Sequence, residues 1–151
     1  MRMLLVLIVM MMSSAFAMAQ DNYGFKVAGV DVTSDNYRDL TEISGVSGKV
    51  YFDPNTRTLT LDNATIEVDG CNAILNKDCR YLVIELLGTN TINVTNSAGI
   101  YTCESTTILG GSGSTLTIKN DRCAVLFEGS PLEIVNCWLE AEGEWGISAN
   151  N

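Results

Sequence analysis

The stretches LTLDNATIEV (59–68), YLVIELLGTNTINV (81–94), TTILGGSGSTLTI (106–118) and LEIVNCWLEA (132–141) decide the fold, because each repeats the pattern of the one before. With NAI (72–74), GI (99–100), AV (124–125) and GI (146–147), they form four lines of three short apolar pieces. Leu61, Ile84, Ile108 and Ile134 anchor the first piece, with steps of 23, 24 and 26 residues. Ile66, Ile92, Leu116 and Leu139 anchor the second, with steps of 26, 24 and 23; Ile74, Ile100, Val125 and Ile147 anchor the third, with steps of 26, 25 and 22. A shared period in this range marks a solenoid, and runs rich in Thr, Ile, Val and Leu broken by Gly, Asn and Asp mark its unit as strands. The fold class expected is all-β: a parallel β-solenoid of about four three-strand coils, since stacked coils bury a column that a single coil cannot.

Alternation assigns faces. With the anchors inward, Val68, Val94, Ile118 and Ala141 form a second core column. Thr65, Thr91, Thr115 and Trp138 then face outward as one row. Ala73, Gly99, Ala124 and Gly146 are read as a second outward row of small residues. Leu75, Tyr101, Leu126 and Ser148 form a third outward row.

Upstream, residues 1–19 read as a secretory signal peptide: a basic start at Arg2, an apolar run from Met3 to Met12 too short to span a bilayer, and small residues favouring cleavage after Ala19, or next after Ala17. Residues 20–56 read as an N-terminal cap and hairpin, with Tyr23–Val32 as one strand, a polar loop from Thr33 to Gly48, and a type I turn at Asp53-Pro54. Residues 57–151 form the coils, with truncation at the C-terminus left open. A last coil without a polar capping element either caps itself, pairs end to end with another chain, or continues into further chain. The carboxylates of Glu140, Glu142 and Glu144 alternate onto one face, which deters edge pairing.

The net charge of −9 opposes nucleic acid, whose phosphates need a basic face. It equally opposes an anionic polymer unless calcium bridges the charges; no cofactor is called for otherwise. No further segment is long enough for a transmembrane helix. With no histidine, the usual hydrolase triads are missing, and so is an ordinary zinc site. Arg57, Arg80 and Arg122 share no column, Asp62, Asp69 and Asp78 lie on different turns, and Glu67 and Glu85 point to different sides, so neither a lyase-like nor a paired-carboxylate site assembles. The chain reads as no enzyme. Of the five cysteines, Cys79 and Cys103 share an offset of five before their anchors and are the pair expected to bridge, although parallel neighbours point the same way and strain such a bond. Cys123 and Cys137 read as inward core residues. The sequons at Asn63 and Asn93 read as strand chemistry.

Residues 26–33 (KVAGVDVT) and 50–66 (VYFDPNTRTLTLDNATI) resemble the opening of secreted right-handed β-helix proteins of anaerobic bacteria, described as carbohydrate-binding domain proteins of pectate-lyase-like fold. Residues 86–92 and 110–118 resemble their coil segments. The resemblance spans nearly all of the chain after the leader. It implies a right-handed parallel β-helix, a polysaccharide or glycan ligand, and a secreted, extracellular, cell-surface or periplasmic location. No catalytic motif of that family maps onto this sequence. Sugar rings pack their C–H faces on aromatic rings and pair their hydroxyls with Asn, Thr and acids. The ligand-binding residues expected are therefore Trp138 with Thr65, Thr91 and Thr115, and Tyr101 as a second place. The rival reading is a structural or adhesive surface protein in which the coils are a spacer, and a third is a polysaccharide-lyase-like enzyme or its remnant.

Overall fold

A computed structural model describes residues 20–150; the leader expected over 1–19 lies outside them. The described chain has fourteen strands and no helix: β1 (Asn22–Val27), β2 (Val30–Thr33), β3 (Val46–Asp53), β4 (Thr58–Asp69), β5 (Ile74–Asn76), β6 (Leu82–Leu87), β7 (Thr89–Thr95), β8 (Ile100–Thr102), β9 (Thr106–Gly110), β10 (Thr115–Asn120), β11 (Cys123–Glu128), β12 (Leu132–Val135), β13 (Trp138–Glu142) and β14 (Trp145–Asn150). From β4 onward every neighbouring pair of coil strands is parallel. The chain is a β-solenoid of about four turns. Its first side stacks the start of β4 on β6, β9 and β12. The second stacks the end of β4 on β7, β10 and β13. The third stacks β5, β8, β11 and β14.

The third side keeps the expected register: Ile74, Ile100, Val125 and Ile147 pair in sequence. On the other two sides the register differs by two residues at one step each. Ile84 pairs with Leu59, not Leu61, which lies beside Leu86. Ile92 pairs with Ile118, not Leu116, which stands over the buried Asn90. The interior stacks are therefore Leu59, Ile84, Ile108, Ile134 and Ile66, Ile92, Ile118, Ala141. A slip of two residues keeps every side chain on its face, so alternation alone could not detect it; a slip of one would have reversed the pattern.

Corner chemistry accounts for the slips. Asn63 adopts a left-handed φ of 48°, bending β4 without breaking it. Its side-chain oxygen accepts from the Thr89 amide at 3.2 Å. One coil on, the corner is Gly88 (φ 68°), where a Cβ would sit 2.4 Å from the Asn63 side-chain oxygen, so a side chain there would collide with the group that holds the corner. Asn90 accepts from the Ala64 amide at 2.9 Å and donates to the carbonyls of Leu87 and Thr115. It thus satisfies backbone groups that the bend takes out of the ladder. The sequon at Asn63 is indeed used as strand and corner chemistry, and Asn93 donates to Glu67 on the neighbouring coil at 3.2 Å.

Of the row of small residues, Ala73, Gly99 and Ala124 are buried and Gly146 is half-buried, contrary to the outward reading. Ala73 and Ala124 are wholly inaccessible. The chain turns sharply just before each third-side strand, so these positions point at the neighbouring coil. A Cβ at Gly99 would lie 2.5 Å from both the Ala124 carbonyl oxygen and Ile118 Cγ2. Smallness here serves packing, not a ligand.

The N-terminal end is closed. β3 pairs antiparallel along β4, from Val46–Ile66 to Asp53–Thr58, and β1 pairs antiparallel with β5. Residues 23–32 are two strands rather than one, because Ala28 (φ 49°) and Gly29 (φ 79°) turn the chain into a β1–β2 hairpin. The Asp53 carboxylate receives the Asn55 amide at 2.9 Å in the expected turn. Phe25, Phe52 and Tyr23 pack over the first coil, with the two phenylalanine rings 4.8 Å apart. On the last described coil Ile134, Val135 and Ile147 are exposed, whereas Ile108 and Val125, one coil earlier in register with Ile134 and Ile147, are buried.

Candidate functional site

The outer face of the second side is built from residues that alternate with the Ile66–Ile92–Ile118 core stack. Two outward rows cross it at the start of the strands. Thr89, Thr115 and Trp138 form the first, and Thr65, Thr91, Thr117 and Glu140 the second. A third row, Glu67, Asn93, Lys119 and Glu142, follows two residues on. The four residues Thr65, Thr91, Thr115 and Trp138 thus share one face as expected, but in two staggered rows rather than one. Thr115 is the neighbour of Trp138; Thr91 stands beside Thr117. The alternation that selected Thr115 also reaches Thr117 and Lys119, but the row was taken from one position per strand.

Trp138 is 72% exposed. It lines a surface depression of about 700 Å³ with Gly111, Ser112, Ser114, Thr115 and Asn136. The loop of residues 111–114 is held beside it, since the Ser114 hydroxyl donates to the Leu86 carbonyl at 2.8 Å and accepts from the Gly111 amide at 3.1 Å. At the other margin a depression of about 650 Å³ is lined by Glu67, Asp69, Asn93, Thr95, Lys119, Asn120 and Asp121. Its walls are ordered by hydrogen bonds between coils. Asp69 accepts from the Thr95 hydroxyl at 2.5 Å and the Asn96 amide nitrogen at 2.7 Å, and Asp121 accepts from the Asn96 backbone amide at 2.9 Å. These bonds, that from Thr95 first, hold the Asp69 carboxyl below its usual range. Lys119 meets Glu142 at 3.8 Å. The face is therefore a flat polar sheet with an aromatic ring at one margin and fixed acceptors at the other.

Tyr101 lies on the third side, in register with Leu75 and Leu126. It is half-buried, and its hydroxyl donates to Glu128 at 2.5 Å. That bond is the main reason its phenol is pushed far above the ordinary value, and it pulls the Glu128 carboxyl down. A ring so engaged between two leucines offers less to a sugar than the free ring of Trp138.

All five cysteines are free thiols, so the expected Cys79–Cys103 bridge is not formed. The corner after β5 spans residues 77–81, whereas that after β8 spans 103–105. The shared offset from the first-side anchors is thus broken on the third side, where Asn76 pairs with Thr102. Cys79 is buried, pinned through both backbone polar atoms by the Asn76 side chain. Cys103 sits by the Tyr101 hydroxyl instead. Cys123 is buried and Cys137 packs partly buried against the core, both as expected.

Among the described residues no group of three or more metal-ligating side chains converges, and no helix is long and apolar enough to cross a membrane. Comparison with known proteins returned no matching family model, no matching curated protein and no matching solved structure.

Proposed function

We propose that this chain is a secreted, non-catalytic β-solenoid module that binds polysaccharide along the outer face of its second side. The observation that carries the reading is the pairing of Thr115 with Trp138 beside the Thr65–Thr91–Thr117 row. Hydroxyls repeat there from coil to coil, and a freely exposed ring closes the neighbouring Thr89–Thr115 row. Repeating acceptors and donors suit a repeating polymer, and the ring suits the apolar face of a pyranose. The carbohydrate-binding role implied by the resemblance of the opening residues points the same way. Such binding needs no proton transfer, so a chain without histidine loses nothing by it.

The test is Trp138→Ala, with circular dichroism as the folding control and titration of soluble polysaccharides as the readout. Loss of an anchoring ring of roughly 1–3 kcal/mol weakens binding about tenfold or more. Unchanged affinity in a folded variant would move the site off this face, with Tyr101 the next residue to replace.

A second reading, a structural or adhesive surface protein, draws on the apolar surface of the last described coil, where Ile134 and Ile147 are 41% and 49% exposed. It requires end-to-end association through that coil. A wild-type chain that binds no glycan but assembles in solution, with the assembly lost in Ile134→Lys, would favour it.

A further inference from the structure

We propose that the polymer recognised on the second side is an amino-sugar polymer bearing free, protonated amines, rather than a neutral glycan or a polyuronate. This rests on the glycan-binding reading above and names the ligand class of the same face. The chemistry lies in what stands between the hydroxyl rows and their margins. Glu67, Glu140 and Glu142 project outward from the face, and Asp69 and Asp121 border its far depression. Lys119 is the one cation on the three rows, and it is already engaged by Glu142. Glu140 extends the Thr65–Thr91–Thr117 row in register; its nearest hydrogen-bonding contact is the Thr117 hydroxyl at 3.5 Å. A polymer that follows the hydroxyl row from coil to coil therefore ends its run against a carboxylate, with Trp138 two residues away on the same strand.

The sign of this charge discriminates between ligands. A polyuronate would bring carboxylates against carboxylates with a single engaged lysine to receive them, and like-charge juxtaposition is a strong device against the wrong partner. A neutral polymer gains only its ring stacking and hydroxyl pairs. An amine placed near Glu140 or Glu67 adds a charge-assisted hydrogen bond. Each such exposed pair is weak, but two or three together are worth about tenfold in affinity at low salt. Because the carboxylates are exposed, this preference is screened as the Debye length shortens.

The experiment compares three probes of equal length on the whole chain: a glucosamine oligomer, its fully N-acetylated counterpart, and a galacturonate oligomer. It is run at mildly acidic pH, where the amines of the probe are charged. The glucosamine oligomer should bind about tenfold tighter than the acetylated one at low salt. The gap should close at high salt and in the double variant Glu67→Gln, Glu140→Gln, and galacturonate should not bind measurably. Equal affinity for the amine and acetylated probes, or a preference for galacturonate, would overturn the ligand class while leaving the glycan-binding reading in place. An amine preference that persists at high salt and in the double variant would place the amines elsewhere and overturn the assignment to these carboxylates. Failure of all three probes and of neutral polysaccharides to bind would sink both.

Discussion

Truncating the same interior column at two heights tests the solenoid. Ile108 and Ile134 occupy one stack in adjacent coils, in direct register. Ile108 is wholly inaccessible between Ile84 and Ile134, whereas Ile134 is 41% exposed on the last described coil. Ile108→Ala removes buried apolar surface and leaves a cavity closed on both sides, which costs about 2–5 kcal/mol. For a chain of this size each kcal/mol moves the melting midpoint by about 3–4 °C, so the loss is roughly 6–20 °C. Ile134→Ala leaves no enclosed cavity, because solvent reaches the gap, and it gives up only part of the transfer free energy, about 1 kcal/mol or roughly 3–4 °C. Ile84→Ala is the internal control and should resemble Ile108→Ala. The assay is thermal unfolding followed by far-ultraviolet circular dichroism, repeated across scan rates to check reversibility. Nearest-neighbour coupling in a stacked repeat demands the gradient. Equal losses for Ile108→Ala and Ile134→Ala would refute the reasoning, since they would mean that the fourth coil is covered like the third.

Four further outcomes follow from single contacts. Ile108→Asp should abolish folding, because it buries a carboxylate with no partner; soluble, cooperatively melting protein would contradict the buried stack. Gly99→Ala should destabilise by about 1–3 kcal/mol in a urea melt, because the added carbon meets the Ala124 carbonyl and Ile118 at 2.5 Å, whereas an outward small residue would tolerate it. Asn90→Ala should cost about 1–3 kcal/mol by orphaning the Ala64 amide at the bend, and unchanged stability would mean that water replaces it. The Tyr101–Glu128 bond carries a pH dependence at both ends. The Glu128 carboxyl is depressed in the fold, so its contribution is present above the ordinary value of 4.5 and is lost as pH falls through the lower folded value. The Tyr101 phenol is raised, so its contribution is present below the ordinary value of 10.0 and is lost only as pH rises through the higher folded value. Ultraviolet titration should find less tyrosine ionised near pH 10 than in denaturant, since Tyr101 and, through burial, Tyr23 are both raised, and Tyr101→Phe should shrink the difference.

Much of this molecule is legible in its sequence because a solenoid writes its period into the chain. The third side is the clearest case. Its first two strands, β5 and β8, have three residues each, so Ile74 and Ile100 had no competing alignment, and Val125 and Ile147 continue their register. On the second side Leu116 and Ile118 are both inward and apolar. Choosing between them needed knowledge of the corner, where three residues of the 111–113 loop stand in place of the single Asn63 or Gly88. The same ambiguity separated Leu59 from Leu61. The staggering of the threonine rows is a direct consequence, and with it the missing of Thr117. The buried row at Ala73, Gly99 and Ala124 was misassigned because alternation was carried through a sharp turn, where it no longer applies. The Cys79–Cys103 pairing failed for a related reason: a two-residue difference between corners is invisible when counting from one anchor. Trp138, by contrast, stands beside Thr115 as expected, because the two lie on one strand pair where no corner intervenes.

The proposed binding face is tested most directly by backbone amide chemical shifts of the isotopically labelled chain, recorded during titration with a soluble hexosamine oligomer. The largest perturbations should fall on Thr91, Thr115, Thr117, Trp138 and Glu140, with the Trp138 indole among them, while Leu75, Tyr101 and Leu126 on the third side stay still. Perturbations centred on Tyr101, or none anywhere with this oligomer and with neutral polysaccharides alike, would contradict a polysaccharide site on the second side.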